Sequence, residues 1–558
     1  MRLVECVPNF SEGRDPAVLE AIGAAIRGVD GVDLLDVDPG RATNRTVYTF
    51  VGPSDAVAEA AFRATAVASE RIDMSRHRGE HPRLGATDVI PFVPLAGTTM
   101  QDCVELARRV GRRIGKELQV PVYLYENAAT RPERRALADI RAGEYEGLAR
   151  KLADPAWAPD FGPAIFDPRS GATVVGAREF LIAYNVNLNT RDRKLAQEIA
   201  LTIREAGRAA RDAAGEIVRQ VDGSAKKVPG TLRAVKAVGW VIDEYGRAQV
   251  SINVVDFRVS PLHVVFDECC RVAEGLGLRV TGSEIVGLVP RDALLMAGRH
   301  YLARQRRSKG QPEARLVECA IQSLGLSDVA PFDPAAKIIE YRIRKAGRTL
   351  RAMTLEAFAD ELSTDSPAPG GGSVAALCGA LAAALAAMVG NLTHGRKGQE
   401  SDWAEMERIA VEAQVLKDAF LLDVDRDTDA FNEVLVATRM PKATPEEKAD
   451  REQALEEANR GATEVPLEVL RRSIDALRLI GVAAKRGNPS SVSDAGVGAL
   501  VGLACAEGAS YNVRINLRSL GPSSAAFASE AGAEATRLLE EAQALTDAVR
   551  AELRTRLP

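Results

Sequence analysis

Short runs of apolar, β-branched residues alternate with longer stretches of helical spacing through the first half of the chain, and turn formers separate them. Residues 3–7 predict a strand, 16–27 a helix, 32–37 and 46–51 strands, and 54–70 a helix capped by Ser54. A strand over 89–93, a helix over 98–118 and a strand over 120–125 follow. The first six elements read βαββαβ, an order that builds a sheet covered by helices on one face. From Phe180 the order begins again: strand 181–188, helix 193–208, two strands broken by Glu244-Tyr245-Gly246, helix 261–275 and strand 278–289. The pattern predicts two similar α/β (α+β) subdomains of βαββαβ type, which commonly hold a ligand in the cleft between them.

Beyond Thr354 the β-branched runs give way to Ala, Leu and Glu in helical spacing, which predicts an all-α helical bundle. Residues 374–390 carry no charge, but the run is at the short edge of spanning length and rich in Ala, which suits a helix buried in a bundle better than a membrane span. No other stretch competes, so a soluble chain without membrane contact is expected. Expected boundaries are 1–181 and 182–341 for the two subdomains, 342–353 for a basic linker, and 354–558 for the helical domain.

Charge and cysteine usage narrow the partners. A formal charge of −5 from 72 basic and 77 acidic residues gives no broad basic field, which argues against nucleic acid and leaves small anions as ligands of local clusters. Seven cysteines, an odd number that includes the adjacent Cys269-Cys270, do not make a disulfide framework. The start, Met1-Arg2-Leu3-Val4-Glu5-Cys6, lacks the apolar core of a signal peptide. A cytoplasmic protein is expected.

Candidate chemistry concentrates in a few stretches. Residues 73–88 hold two of the five histidines, His77 and His81, with Arg76, Arg78 and Arg83 and two glycines around them. Imidazole and fixed positive charge on a tightly turning chain suit a small anionic ligand; a solvated polar loop is the plain alternative. His77 to His81 also spells the H-x-x-E-H zinc signature, but Gly79 and Pro82 disfavour the single helix face that a shared zinc needs. Residues 157–171 combine an aromatic with turn formers whose backbone can approach a flat ligand, or they form an ordinary domain-edge loop. Ala368-Pro369-Gly370-Gly371-Gly372-Ser373 leads into the apolar helix, so its free N–H groups can hold a carboxylate, or simply be capped; it lacks the Lys of a phosphate loop. Asp423, Asp425 and Asp427 imitate a calcium loop until Thr428 and Val434 occupy the positions that need Gly and Glu. On a helix, Asp423 and Asp427 share a face, where apolar neighbours would raise a carboxyl pKa toward the range of proton transfer; a solvated acidic face is the competing reading.

Several longer motifs resemble the formimidoyltransferase-cyclodeaminase family. In the first part these are Val7-Pro8-Asn9-Phe10-Ser11-Glu12-Gly13, Asn44-Arg45-Thr46-Val47-Tyr48-Thr49-Phe50-Val51-Gly52, Gly79-Glu80-His81-Pro82-Arg83 and Ala158-Pro159-Asp160-Phe161-Gly162-Pro163. In the helical part they are Ala368 to Ser373, Asp425-Arg426-Asp427, Arg439 to Lys448 and Asn512-Val513-Arg514-Ile515-Asn516-Leu517. The resemblance spans nearly the whole chain. It implies a bifunctional folate enzyme of histidine degradation: a formiminotransferase acting on N-formimino-L-glutamate and tetrahydrofolate, then a cyclodeaminase that closes 5-formiminotetrahydrofolate to 5,10-methenyltetrahydrofolate and releases ammonia. By similarity His81 is the catalytic histidine of the transferase and Asp427 the active-site acid of the cyclodeaminase, with Asp425 as a helper. The family's folate-binding loop falls on Gly162, Pro163, Ala164, Ile165, Phe166, Asp167, Pro168, Arg169, Ser170 and Gly171. Tetrahydrofolate, expected to be polyglutamylated, is then the co-substrate, no metal is expected, and a homo-oligomer with a dimeric helical domain is implied. On charge, Arg76, Arg78 and Arg83 suit substrate carboxylates.

Two other functions fit parts of the chain. Helical relatives include methenyltetrahydrofolate cyclohydrolases, which open the ring with water and release no ammonia. A non-catalytic folate-binding protein would bind and not turn over.

Overall fold

A computed structural model describes residues 2–557 except 42, 80–81, 96, 213, 221–222, 243–245, 344–348 and 367. The chain divides into two compact units, residues 1–296 with 321–345, and residues 297–320 with 346–558.

The first unit begins with β1 (Val4–Cys6), β2 (Asn9–Phe10), α1 (Pro16–Arg27), β3 (Asp33–Gly40), β4 (Arg45–Gly52), α2 (Ser54–Arg71) and β5 (Thr87–Pro94). It continues with α3 (Met100–Arg113), β6 (Val122–Glu126), α4 (Leu137–Arg141), α5 (Glu144–Leu152) and β7 (Thr173–Ala177). β1 and β2 both lie between β4 and β5, since Val4 pairs with Gly52 and Pro94, and Asn9 with Val47 and Val89. They are successive pieces of one strand, parted around Pro8, whose ring nitrogen has no hydrogen to give a ladder. β3 adds beyond β4, while β7 and then β6 extend the other side of β5 in parallel.

Helices α1 to α3 pack on one face of this sheet, through Ile22, Ile26, Ala61, Ala64, Val104 and Val110. The expectation of helices on one face alone fails at the β7 and β6 extension. Its other face, Tyr123, Tyr125 and Val174, is covered by Ile140 of α4 and Leu148 and Leu152 of α5. Apolar residues at both alternating positions of these strands need cover on both sides.

The second subdomain comprises β8 (Ile182–Leu188), α6 (Arg193–Ile203), β9 (Arg208–Ala209), β10 (Lys227–Val228), β11 (Val235–Ile242), β12 (Arg247–Val254), α7 (Leu262–Gly275) and β13 (Val280–Val286). Its strand order, β11-β12-β8-β13, matches β3-β4-β1/β2-β5 in the first, so the repeated pattern in the sequence is a repeated topology. Helix α6 stops short of the expected residue 208. The carbonyls of Thr202 and Ile203 accept from the amides of Thr231 and Leu232 (2.9 and 3.0 Å), and β9 and β10 form a small antiparallel arm instead.

α8 (Arg291–Arg304) and α9 (Glu313–Leu324) each run from one unit's residues into the other's, and α10 (Pro334–Lys337) and α11 (Ile339–Ile343) close the first unit. The second unit therefore takes residues 297–320, a stretch placed above with the second subdomain. It further contains α12 (Leu355–Leu362), α13 (Gly371–Thr393), α14 (Trp403–Thr438), α15 (Pro445–Arg486), α16 (Val492–Leu517) and α17 (Ala525–Arg556). The core is built largely of alanine, which lets helices approach closely: a side chain at Gly379 would meet the Phe420 ring at 2.5 Å. α15 begins with a capping box in which Thr444 and Glu447 bond reciprocally across Pro445. Among the described residues two helices, not one, are long and apolar enough to cross a membrane, Gly371–Thr393 and the segment Pro489–Leu517, and most of each window is buried inside the bundle.

Candidate active sites

At one end of the first sheet, four stretches far apart in sequence come together. Ser11 donates its hydroxyl to Gly85 O (2.7 Å), and Gly13 N bonds Asn44 Oδ1 (3.0 Å). Asn44, in a left-handed turn (φ +47°), donates its side-chain amide to Arg78 O (3.1 Å). Gly79 packs so tightly there that a Cβ would lie 2.2 Å from Thr43 O. The loop from α2 to β5 is thus fixed on both sides of residues 80 and 81. Glu80 and the expected catalytic His81 lie outside the described residues.

His77 is part of this frame. It is buried, its Nε2 lies 2.8 Å from Asn44 O, and its Nδ1 lies 3.3 Å from Arg83 Nε. A carbonyl needs a donor and a guanidinium an acceptor, so the ring is neutral with its hydrogen on Nε2. Burial, above all, holds its pKa below the ordinary value, and the nearby Arg83 acts the same way.

Arg83 does not serve as the free carboxylate receptor expected from its charge. It is buried, grips Glu146 with two nitrogens (2.7 and 3.0 Å) and reaches Glu144 at 3.3 Å. Its guanidinium lies 5.8 Å from the Tyr145 ring. Arg76 is exposed and lies 3.5 Å from Asp73, whereas Arg78, Gly79, Arg83, Gly143, Glu144 and Glu146 line an open cleft of about 410 Å³. Nothing in the spacing of Glu144, Tyr145 and Glu146 marked them, because on a short helix they read as an ordinary polar face.

The expected folate loop joins the same frame. Met74 N bonds Arg169 O (3.0 Å), Gly171 bridges Gly85, and the Tyr145 hydroxyl donates to Pro168 O (2.6 Å) while its ring lies 5.5 Å from Phe166. Gly162 (φ +81°) and Gly171 (φ +67°) bound the loop, and a Cβ on either would strike backbone oxygen at 2.4 or 2.3 Å. Asp167 organises the turn. Its carboxylate accepts from the Ser170 hydroxyl (2.6 Å) and the Arg169 amide (3.0 Å). Burial pushes its pKa up, but these donors hold it below the ordinary carboxylate value. Ile165 is 70% exposed on this fixed loop. Beneath the loop, fully buried Arg134 binds Asp160 (3.1 Å) and the carbonyls of Ala156 and Ala158 (3.0 and 2.7 Å). Among its many arginine neighbours, that residue gave no sign in the sequence.

The second site lies at the start of α13. Gly370, the N-cap, has no side chain to bond the first free N–H groups. Asp427 of α14 supplies the missing cap: its Oδ2 lies 3.1 Å from Ser373 Oγ, and the Ser373 amide also bonds the carboxyl. The anion expected at this glycine-rich helix end is a carboxylate of the chain itself, favoured by the positive end of a 23-residue helix. Burial raises the Asp427 pKa above the ordinary value, while the Ser373 hydroxyl and amide pull it back. Asn512 of α16 is adjacent, with its Nδ2 3.8 Å from where a Gly371 Cβ would stand.

The other acids of α14 have separate work. Because α14 is helical throughout 403–438, no calcium loop exists there, and Asp425 points about 200° away from Asp427. Asp425 accepts from Leu350 N (2.7 Å) and pairs with Arg351 (3.2 Å), so it anchors the incoming chain and does not assist Asp427. Asp423 is buried among Arg426 (2.8 Å) and Arg472, which in turn reach Glu468.

Gly372 is the tightest point. A Cβ there would lie 1.9 Å from Asp427 Oδ1. Gly372→Ala is expected to push the Asp427 carboxyl away from Ser373, a displacement that a crystal structure of the variant would show. Alanine's better helix propensity, about 1 kcal/mol, offsets part of the strain, so the unfolding midpoint should change little.

Comparison with known proteins bears on both sites. Family models match in three successive segments: "Formiminotransferase domain, N-terminal subdomain" over residues 3–178, "Formiminotransferase domain" over 183–344 and "Formiminotransferase-cyclodeaminase" over 354–537. A formimidoyltransferase-cyclodeaminase of Gallus gallus is 44% identical over 97% of this chain and 97% of its own length. A glutamate formimidoyltransferase of Streptococcus pyogenes serotype M1 is 42% identical over 54% of this chain and 93% of its own. A methenyltetrahydrofolate cyclohydrolase of Methylorubrum extorquens is 38% identical over 35% of this chain and 93% of its own. With both halves matched in order and over almost their full length, the chain belongs to the formimidoyltransferase-cyclodeaminase family.

Proposed function

We infer that the two sites divide the family's chemistry between them, with His81 serving formimino transfer and Asp427 serving ring closure. The chain is a bifunctional folate enzyme: it transfers the formimino group of N-formimino-L-glutamate to tetrahydrofolate, its co-substrate, and converts 5-formiminotetrahydrofolate to 5,10-methenyltetrahydrofolate and ammonia. The observation that carries the assignment of roles is the placement of Asp427, a carboxyl with a raised pKa held on the N-terminus of α13.

In the transferase, His81 accepts the proton of the attacking pterin nitrogen and returns one to the departing glutamate nitrogen. The fixed loop Gly162, Pro163, Ala164, Ile165, Phe166, Asp167, Pro168, Arg169, Ser170 and Gly171 offers exposed Ile165 to a planar ring, and Arg78 in the cleft suits a substrate carboxylate. No metal enters this reading: both ring nitrogens of His77 are engaged, and Arg83 would repel a cation.

In the cyclodeaminase, the bridging nitrogen of 5-formiminotetrahydrofolate attacks the carbon of the formimino group, whose own nitrogen is protonated, and gives its proton to Asp427. The carbon–nitrogen bond to the amino group then breaks, its electron pair leaves with nitrogen, and Asp427 returns the proton. The products are the methenyl cation and ammonia.

A polyglutamylated folate, a cytoplasmic location and a homo-oligomer complete the proposal. No disulfide joins any of the seven cysteines, which suits a reducing compartment. For the oligomer, α13 turns Leu381, Met388 and Leu392 outward on one stripe, and α16 does so with Val497 and Leu500, a pattern suited to a second copy of the bundle. Sedimentation should give a species of at least twice 59.7 kDa; a monomer at micromolar concentration would remove this part.

The direct test mixes the chain with formiminoglutamate and tetrahydrofolate and follows methenyltetrahydrofolate by near-ultraviolet absorbance, with ammonia assayed in parallel. Both should rise together. Consumption of formiminoglutamate without ammonia would leave Asp427 without the assigned role.

A further inference from the structure

We propose that Ser373 is a positioning residue that serves both protonation states of Asp427 by turning one hydroxyl proton between two acceptors. This rests on the reading of Asp427 as the acid–base group.

Ser373 occupies the first turn of α13 and is fully buried. Its Oγ lies 3.1 Å from Asp427 Oδ2 and 3.0 Å from Val424 O, with Thr428 Oγ1 at 3.5 Å. A hydroxyl has one proton and two lone pairs, so it donates to one of these acceptors at a time. While Asp427 is ionised, the proton points to Oδ2 and stabilises the charge. Once Asp427 has taken a proton from the attacking nitrogen, its own O–H needs an acceptor. The Ser373 hydroxyl then turns to Val424 O and presents a lone pair to Asp427. Val424 O, a helix carbonyl with two lone pairs, can receive it beside its helical bond.

Neither arrangement leaves a buried hydroxyl proton unpaired: the ionised form keeps the Ser373–Asp427 bond, and the protonated form reverses that bond and adds the one from Ser373 to Val424 O. A group that must take and return one proton within a turnover gains from such balance, because a fixed donor would favour only the ionised form. Among the described residues, no charged group is a cause of the Asp427 displacement. Burial and Ser373 account for the displacement of the Asp427 carboxyl. Of the neighbouring charges, Asp423 and Arg426 on α14 close on Arg472 and Glu468 of α15, Asp425 is held by Arg351, and α16 contributes the neutral amide of Asn512.

The test supplies 5-formiminotetrahydrofolate to the full chain and measures ammonia release against pH. In Ser373→Ala the carboxylate loses a charge-assisted bond and the protonated acid a weaker neutral one, so the acid limb should move up by less than the roughly one pH unit that loss of a fixed donor would give. kcat should fall with KM little changed. Ser373→Thr keeps the hydroxyl and should restore the parent limb. Circular dichroism and the thermal midpoint show that each variant folds. A limb unmoved in Ser373→Ala, or a loss equal at every pH, would overturn the proposal and leave the serine a structural bond. Undiminished ammonia release by Asp427→Asn would instead overturn the reading of Asp427 on which it rests.

Discussion

Asp427→Asn is expected to lower ammonia release from 5-formiminotetrahydrofolate by about 10² to 10⁴-fold, the usual contribution of a positioned acid–base group, while formimino transfer continues at the parent rate. Asparagine keeps the shape and can still accept from Ser373, so the loss isolates proton transfer. The substitution should not reduce stability at neutral pH. A carboxyl whose folded pKa lies above its unfolded value binds its proton more tightly in the native state, so it stabilises the fold at low pH. That contribution is lost as pH rises from the ordinary carboxylate value through the raised one. Where the group is ionised, its partial burial is a cost, which asparagine does not carry. A variant that loses ammonia release together with its thermal midpoint would point to damage of the bundle, not to removal of a catalyst.

His81→Ala is expected to have the mirror effect. Formimino transfer from formiminoglutamate should fall by about 10² to 10⁴-fold, and ring closure of supplied 5-formiminotetrahydrofolate should continue. His77→Ala provides the contrast. His77 is neutral, buried and bonded on both nitrogens, so it cannot exchange a proton with substrate without breaking its bond to Arg83. Its loss should act through loop geometry, raising KM for folate and loosening the loop, and external imidazole should not rescue it. Imidazole rescue of the His81 variant but not of the His77 variant would fit the assignment. The reverse pattern would exchange the two roles.

Much of this was legible in the sequence because the informative residues are types that physical chemistry restricts. The doubled βαββαβ order follows from periodicity, and the same strand order recurs in both subdomains. Gly372 and Gly79 stand where no side chain fits, so motifs built on glycine pointed to close approaches that exist. The glycine-rich helix start was readable as an anion site, but not that the anion would be Asp427, because the partner is 54 residues away on another helix. Asp425 misled for a simple reason: nearness in sequence on a helix turns a side chain away from its neighbour's face. Arg83 misled because charge says what a residue can bind and not whether it is already bound. Arg134 and Tyr145 left no signal, since each owes its place to partners from distant segments. The two-sided cover of β6 and β7 depended on short helices that no periodicity marks.

The anchoring of residues 162–171 has a geometric consequence. The Met74–Arg169 bond, the Gly85–Gly171 bridge and the Arg83–Tyr145–Pro168 chain close these segments into a ring of links. In a closed ring, no arc can be lengthened alone: one residue inserted into either loop would shift the register of every later link. The length of the 162–171 loop is therefore set jointly with that of the chain between α2 and β5, and over these stretches the fold depends on the spacing of residues as much as on their identity.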